Sequence, residues 1–186
     1  MPLKISPQRA REILDQAEEI CPASAVSDAV ARVASAVNAA LATDYPLVIV
    51  VLRGAVVFAG QLLPQLTFPL DLDSIDATRY DNTTRGGEII FRAMPVTQVA
   101  GRSVLLIDDI LDQGITLKAI RDKLLAMGAR KIMIAVFADK QTGRTKPLTA
   151  NFIGVTLPNR YVFGYGMDVY GYWRNLPSIY AVREQE

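Results

Sequence analysis

The apolar positions of this chain follow two rhythms, one helical with a repeat of about 3.6 residues and one continuous. Ile13, Ala17 and Ile20 recur at helical spacing behind Ser6-Pro7, where serine can cap and proline already holds a helical φ; Cys21-Pro22 marks the predicted end. Val26, Val30, Val33, Val37 and Leu41 form the apolar stripe of a second helix, closed by Asp44-Tyr45-Pro46. Leu47–Leu52 is then apolar without a break and mostly β-branched, the pattern of a strand buried on both faces in a parallel sheet. Further along, the pattern predicts a helix over 56–66, a strand over 69–77, and a polar mobile loop over 79–88 (RYDNTTRGGE). Strand character resumes at Ile89-Ile90-Phe91, then over 104–107, 132–138, 152–157, 161–163 and 179–182. A helix over 116–127 is closed by Gly128.

Strands alternating with helices imply right-handed crossovers and an α/β fold, a doubly wound parallel sheet flanked by helices. A length of 186 residues without repeats or linkers points to one domain. With 51% hydrophobic and 21% charged residues, the chain is too apolar for disorder. No apolar run approaches the roughly 18 residues of a membrane span. Residues 1–7 carry no apolar core of a secretory signal, so neither export nor a membrane partner is expected.

Charge and side-chain chemistry narrow the function. A net charge of +1 leaves no basic footprint for nucleic acid. One cysteine, Cys21, excludes an intrachain disulfide and suits a reducing cytoplasm. The absence of histidine removes every Ser-His-Asp, Cys-His and histidine-zinc arrangement. Acid–base work then falls to carboxylates, Lys, Tyr or Cys21, and any metal should be a hard, oxygen-bound one.

One segment concentrates candidate chemistry. In VLLIDDILDQGITL (104–117) a buried strand runs into Asp108, Asp109 and Asp112, then Gly114 and Thr116 at a helix start. Three carboxylates within five residues repel one another unless a cation compensates them. The turn's successive backbone amides and the helix N-terminus favour a phosphate. Taken alone, Asp112 reads equally well as a helix cap.

This segment resembles the phosphoribosyl-pyrophosphate (PRPP) motif of type I phosphoribosyltransferases. VVLRGAVVF (50–58) resembles the pyrophosphate loop of the 6-oxopurine (hypoxanthine-guanine) members, and YVFGYGMDVYGYWRNLPSIYAV (161–182) their base and metal segment. The resemblance runs in order over about 20–183. It implies that fold, with a small hood lobe from about 1–25 and 150–186. It also implies Mg²⁺-dependent transfer of 5-phosphoribosyl from PRPP to hypoxanthine or guanine in purine salvage, giving IMP or GMP. The implied alternatives are xanthine or another base, or a nucleic-acid-binding regulator on the same fold.

Carried onto this chain, Asp108 and Asp109 would hold the ribose hydroxyls, directly or through Mg²⁺. Asp112 would exchange a proton with purine N7. Asp112, Gln113, Gly114, Ile115 and Thr116 would cradle the 5′-phosphate. Arg53 and Gly54, behind an often cis peptide, would meet pyrophosphate, as would Arg174. Lys140 would reach purine O6, Tyr161 would stack on the base, Val162 would offer backbone contacts, and Asp168 would bind a second Mg²⁺. Tyr80 would ride on the closing loop. The family more often has Thr at Gln113, Lys at Arg53 and Ser at Arg79. The resemblance further implies a homodimer or homotetramer. By residue type alone, Lys140 would be a solvated charge, Tyr161 core, Asp168 and Arg174 a surface ion pair, and Gly164-Tyr165-Gly166 a tight bend.

Overall fold

A computed structural model describes residues 5–80 and 88–183. Ser6 caps helix α1 (Pro7–Gln16) by accepting the Arg9 N–H at 3.1 Å. The helix stops earlier than its apolar spacing predicts. Ala17 turns extended (φ −74°, ψ 159°), and Glu18–Cys21 forms strand β1. Its partner, β9 (Ile179–Ala181), lies at the other end of the chain, with Glu18 opposite Ala181. Strand β8 (Val162–Phe163) completes this small antiparallel sheet, in the order β1-β9-β8.

The main sheet is built from β2 (Leu47–Leu52), β3 (Asp71–Tyr80), β4 (Glu88–Ala93), β5 (Ser103–Leu111), β6 (Lys131–Lys140) and β7 (Phe152–Leu157). Its order is β4-β3-β2-β5-β6-β7. All neighbours are parallel except β3 and β4, so the sheet carries one antiparallel edge. From β2 the chain builds outward to β3 and β4, then returns to lay β5 on the other side of β2. That reversal between β2 and β5 is where doubly wound folds open a crevice at the carboxyl strand ends.

Helix α2 (Ala23–Leu41) buries its valine stripe and packs on β7 and on α3 (Val56–Leu62). Helix α3 ends before 66 because Pro64 cannot donate a helical hydrogen bond; a single 3₁₀ turn, Leu63–Gln65, follows. Helix α4 (Ile115–Ala126) packs on β3 and β6 through Leu117, Ile120 and Leu124. Leu47, Ile49, Leu105, Leu106 and Ile107 are fully buried, as a two-face-buried strand requires. Each such side chain contributes about 1.5–3 kcal/mol of burial.

Several strands run further than their apolar runs suggest, β5 and β6 among them. Strand β5 continues through Asp108 and Asp109 to Leu111, and β6 continues to Lys140, because parallel pairing of Leu111 with Asp139 carries both past their hydrophobic stretches. Arg79 and Tyr80 close β3 and Glu88 opens β4, so those parts of the predicted loop are strand. Its remainder, 81–87, lies outside the described residues.

Candidate active site

The site opens at the carboxyl ends of β2 and β5. Asp108 is almost wholly buried, its Oδ1 accepting the Asp109 N–H at 2.9 Å; Asp109 Oδ1 accepts the Ile110 N–H at 2.8 Å. Burial pushes the Asp108 carboxyl well above the usual range, and the neighbouring Asp109 charge adds to this. Burial also raises Asp109, partly offset by a hydrogen bond from Asp108 and by the Arg174 charge. The pair resists carrying two negative charges without a compensating cation.

Two glycine loops close on Asp109. A methyl built on Gly54, just beyond the cis Leu52–Arg53 peptide, would sit 1.9 Å from Asp109 Oδ2. A methyl on Gly166 would sit 2.1 Å from the Gly54 carbonyl oxygen, and Gly166 has φ +97°. Gly164 (φ +94°) and Tyr165 (φ +49°) share the left-handed region, so Gly164-Tyr165-Gly166 is the bend its composition suggests. The Tyr165 ring is fully buried against Phe137 and donates its hydroxyl to Gln61 Oε1 at 2.8 Å.

Asp112 is not a helix cap. The N-cap position of α4 is Gly114, at φ +76°, and no side chain caps the helix there. The α4 N-terminus thus has no side-chain cap, and its residues Gly114, Ile115 and Thr116 line a cavity, a setting suited to an anion. Arg79 and Gln113, both departures from the family pattern, meet: Arg79 Nη1 donates to Gln113 Oε1 at 2.8 Å.

These elements enclose two adjoining cavities, of about 470 and 240 Å³. The larger is lined by Arg53, Gly54, Asp108 and the 112–116 loop, the smaller by Lys140, Tyr161, Val162 and Met167. Asp109, Ile110, Asp112, Asp168 and Arg174 wall both. Lys140 is no solvated charge: its side chain is 14% exposed, with Nζ 3.6 Å from Asp112 Oδ2. Tyr161 is not core but 55% exposed at the rim of the smaller cavity; partial burial, with Asp168 and Tyr170 nearby, raises its hydroxyl pKa. Asp168 and Arg174 do form an ion pair, yet at the junction of the cavities. Arg174 Nη1 also donates to the Gly166 carbonyl at 2.6 Å, and Asp168 Oδ2 accepts the Gly171 N–H at 2.7 Å.

Every sequence-predicted site residue thus lines one of the two cavities except Tyr80, whose side chain lies outside the described residues. Sequence reasoning missed Ile110 on the shared wall, Met167 in the smaller cavity and, among others, Asp76, Thr78 and Arg92 in the larger. Ile110 and Met167 adjoin predicted acids and were within reach of the motif. Asp76, Thr78 and Arg92 enter through strand order, and Arg92 sits where the β3–β4 register slips, which no local pattern signals. Among the described residues, no cluster of three or more Cys, Asp or Glu forms a ready-made metal cage. Asp108, Asp109 and Asp168 offer only oxygen donors, and the raised Asp108–Asp109 pair fits a hard cation whose coordination a bound ligand completes.

A crevice at the sheet reversal, a helix N-terminus open to an anion and an acidic strand end define a phosphoribosyl-transfer site. Correspondingly, the phosphoribosyl transferase domain family matches residues 16–169, and the chain belongs to that family. Similar relatives include the hypoxanthine-guanine phosphoribosyltransferase of Streptococcus pneumoniae, 32% identical over 85% of this chain and 91% of that one. The enzyme of the same description from Bacillus subtilis is 37% identical over 73% of this chain and 76% of its own length. A crystal structure of a Bacillus anthracis hypoxanthine-guanine phosphoribosyltransferase superposes with a TM-score of 0.83 at 27% identity, covering 89% of this chain and 98% of that one.

Proposed function

We infer that this protein is a purine-salvage enzyme that transfers the 5-phosphoribosyl group of PRPP to hypoxanthine or guanine, giving IMP or GMP and pyrophosphate. The observation that carries this reading is the placement of Lys140, in a base-sized cavity, with its Nζ 3.6 Å from Oδ2 of Asp112, on the wall that cavity shares with an anion-binding one.

The base enters the smaller cavity, with Tyr161 against its face and the backbone of Val162 at its edge. The Lys140 ammonium donates to O6, and Asp112 handles the N7 proton. The 112–116 loop and the α4 N-terminus hold the 5′-phosphate; Arg53, Gly54 and Arg174 face the pyrophosphate. As the C1–oxygen bond to pyrophosphate breaks, positive charge grows on the ribose, and the Asp108–Asp109 pair lies beside it. The purine nitrogen attacks from the opposite side, so one C–N bond forms as one C–O bond breaks and no protein nucleophile is required. Oxygens of Asp108, Asp109 and Asp168 would hold Mg²⁺, which would supply charge neutralisation for the leaving pyrophosphate.

We place the enzyme in the cytoplasm as a homodimer or homotetramer, one domain whose hood comes from about 1–25 and 150–186. No helix among the described residues is long and apolar enough to cross a membrane. A purine panel assayed with PRPP and Mg²⁺ tests the reading: hypoxanthine and guanine should yield nucleotide, and excess EDTA should stop turnover. Adenine turnover matching that of the oxopurines, or full activity in EDTA, would overturn it.

A further inference from the structure

The reaction above uses Lys140 and Asp112 but leaves unexplained a second lysine just behind them. Lys146 stands in the turn after β6, its side chain only 14% exposed. Its Nζ donates to the Leu111 carbonyl at 2.6 Å and pairs with the Asp139 carboxylate, itself 20% exposed. Leu111 and Asp139 are register partners at the ends of β5 and β6. Each immediately precedes a residue of the site: Asp112 follows Leu111, and Lys140 follows Asp139. The next residue, Pro147, lies against the phosphate loop; a methyl built on Gly114 would stand 3.2 Å from its ring.

We propose that Lys146 is a positioning residue that ties the backbone at Leu111 to the side chain of Asp139 and so sets the spacing of Asp112 and Lys140 across the base cavity. Beyond these two residues the β5–β6 ladder ends: β5 stops at Leu111 and Lys140 pairs only with Leu157 of β7, so no ladder bond joins Asp112 to Lys140. A charge-assisted hydrogen bond to a strand-end carbonyl replaces the ladder there. Lysine suits the position because one ammonium can donate to a carbonyl and a carboxylate at once. Lys146 itself lines neither cavity, so it acts through its neighbours.

This inference rests on the phosphoribosyl-transfer reading, and the test separates the two. Steady-state kinetics with PRPP and hypoxanthine, alongside thermal melting, are measured for the full-length wild type, K146L, K146R and the double variant D139L/K146L. K146L should lose roughly 10- to 100-fold in kcat, the usual cost of an outer positioning contact or a small misplacement of reacting groups. Its KM for hypoxanthine should rise while its KM for PRPP moves less than about threefold, because the phosphate and pyrophosphate walls keep their contacts. Arginine offers donors to both partners, so K146R should recover most of the lost kcat. The double variant removes the unpaired, part-buried carboxylate and should regain melting temperature without regaining kcat. A purely structural staple gives the opposite split: a lower melting temperature, unchanged kinetic constants in the folded protein, and kcat at wild-type level in the double variant. That result overturns the positioning role alone. A wild type inactive on both oxopurines overturns it together with the functional reading.

Discussion

Replacing Gly166 by alanine probes the contact that draws the two glycine loops together over Asp109. Alanine at φ +97° costs roughly 1–3 kcal/mol in conformational strain. Its methyl would also stand 2.1 Å from the Gly54 carbonyl oxygen, a backbone atom that cannot rotate away, and forced overpacking costs about 1–3 kcal/mol more. A central value of about 4 kcal/mol, at roughly 2–4 °C per kcal/mol for a chain of this size, lowers Tm by about 8–16 °C. Relief by moving Gly54 would drag Arg53 with it, so the KM for PRPP should rise as well. Gly60 supplies the internal control. It lies in α3 with nothing within 4 Å of an added methyl, and Gly60→Ala should be neutral or stabilise by roughly 0.5–1 kcal/mol. Calorimetric melting of both variants with PRPP kinetics on each is the assay. A Gly166→Ala protein that melts within 2 °C of wild type, about the shift of a single kcal/mol, would refute the claim that the two loops are in forced contact.

Asp112→Asn should lower kcat by about 10²–10⁴-fold with little change in the KM for PRPP, measured by initial rates; a change of only a few-fold would remove its proton-handling role. Lys140→Ala should raise the KM for hypoxanthine and guanine and narrow their advantage over adenine, since an ammonium facing the adenine amino group leaves both donors unpaired; an unchanged ratio of kcat/KM between the bases would count against the contact. At Asp73, burial favours the neutral acid, but hydrogen bonds from the Thr97, Ser74 and Val96 amides outweigh it and hold the carboxyl below its usual value. The lowered folded pKa means this stabilisation is complete above the ordinary aspartate pKa, about 3.9, and is lost as pH falls through the folded value. Asp73→Asn should accordingly flatten the acid limb of a Tm-versus-pH curve, and a parallel limb would exclude Asp73 as its source.

What could be read from the chain follows from the range of the interactions involved. Leu47–Leu52 is recognisable because burial on both faces leaves its mark on each residue of the strand itself. The 104–117 segment is likewise local: strand, acids, turn and helix start lie in sequence, and the α4 N-terminus falls at Ile115, one residue from its predicted place. Strand β1 escaped notice because Glu18–Cys21 acquires its conformation from Ile179–Ala181 at the far end of the chain. The same holds for Arg92, admitted to the larger cavity by an irregular antiparallel pairing, and for Lys146, whose partners sit on two different strands. The acidic strand end was visible; the burial that raises the Asp108–Asp109 pair emerges only once β5 is enclosed.

The wall common to both cavities has a thermodynamic consequence. Asp109, Ile110, Asp112, Asp168 and Arg174 face two ligands at once, so any adjustment one ligand imposes on them is felt by the other. Linkage then requires reciprocity: whatever factor a phosphoribosyl ligand contributes to purine affinity, the purine returns to the phosphoribosyl ligand. A single molecule joining a purine to a phosphonate through a spacer matched to that wall would engage the second cavity intramolecularly, at an effective concentration set by the spacer. Its affinity would exceed that of either fragment without any contact the separate fragments lack, and the spacer length giving the tightest binding would be a ruler for the distance between the two subsites.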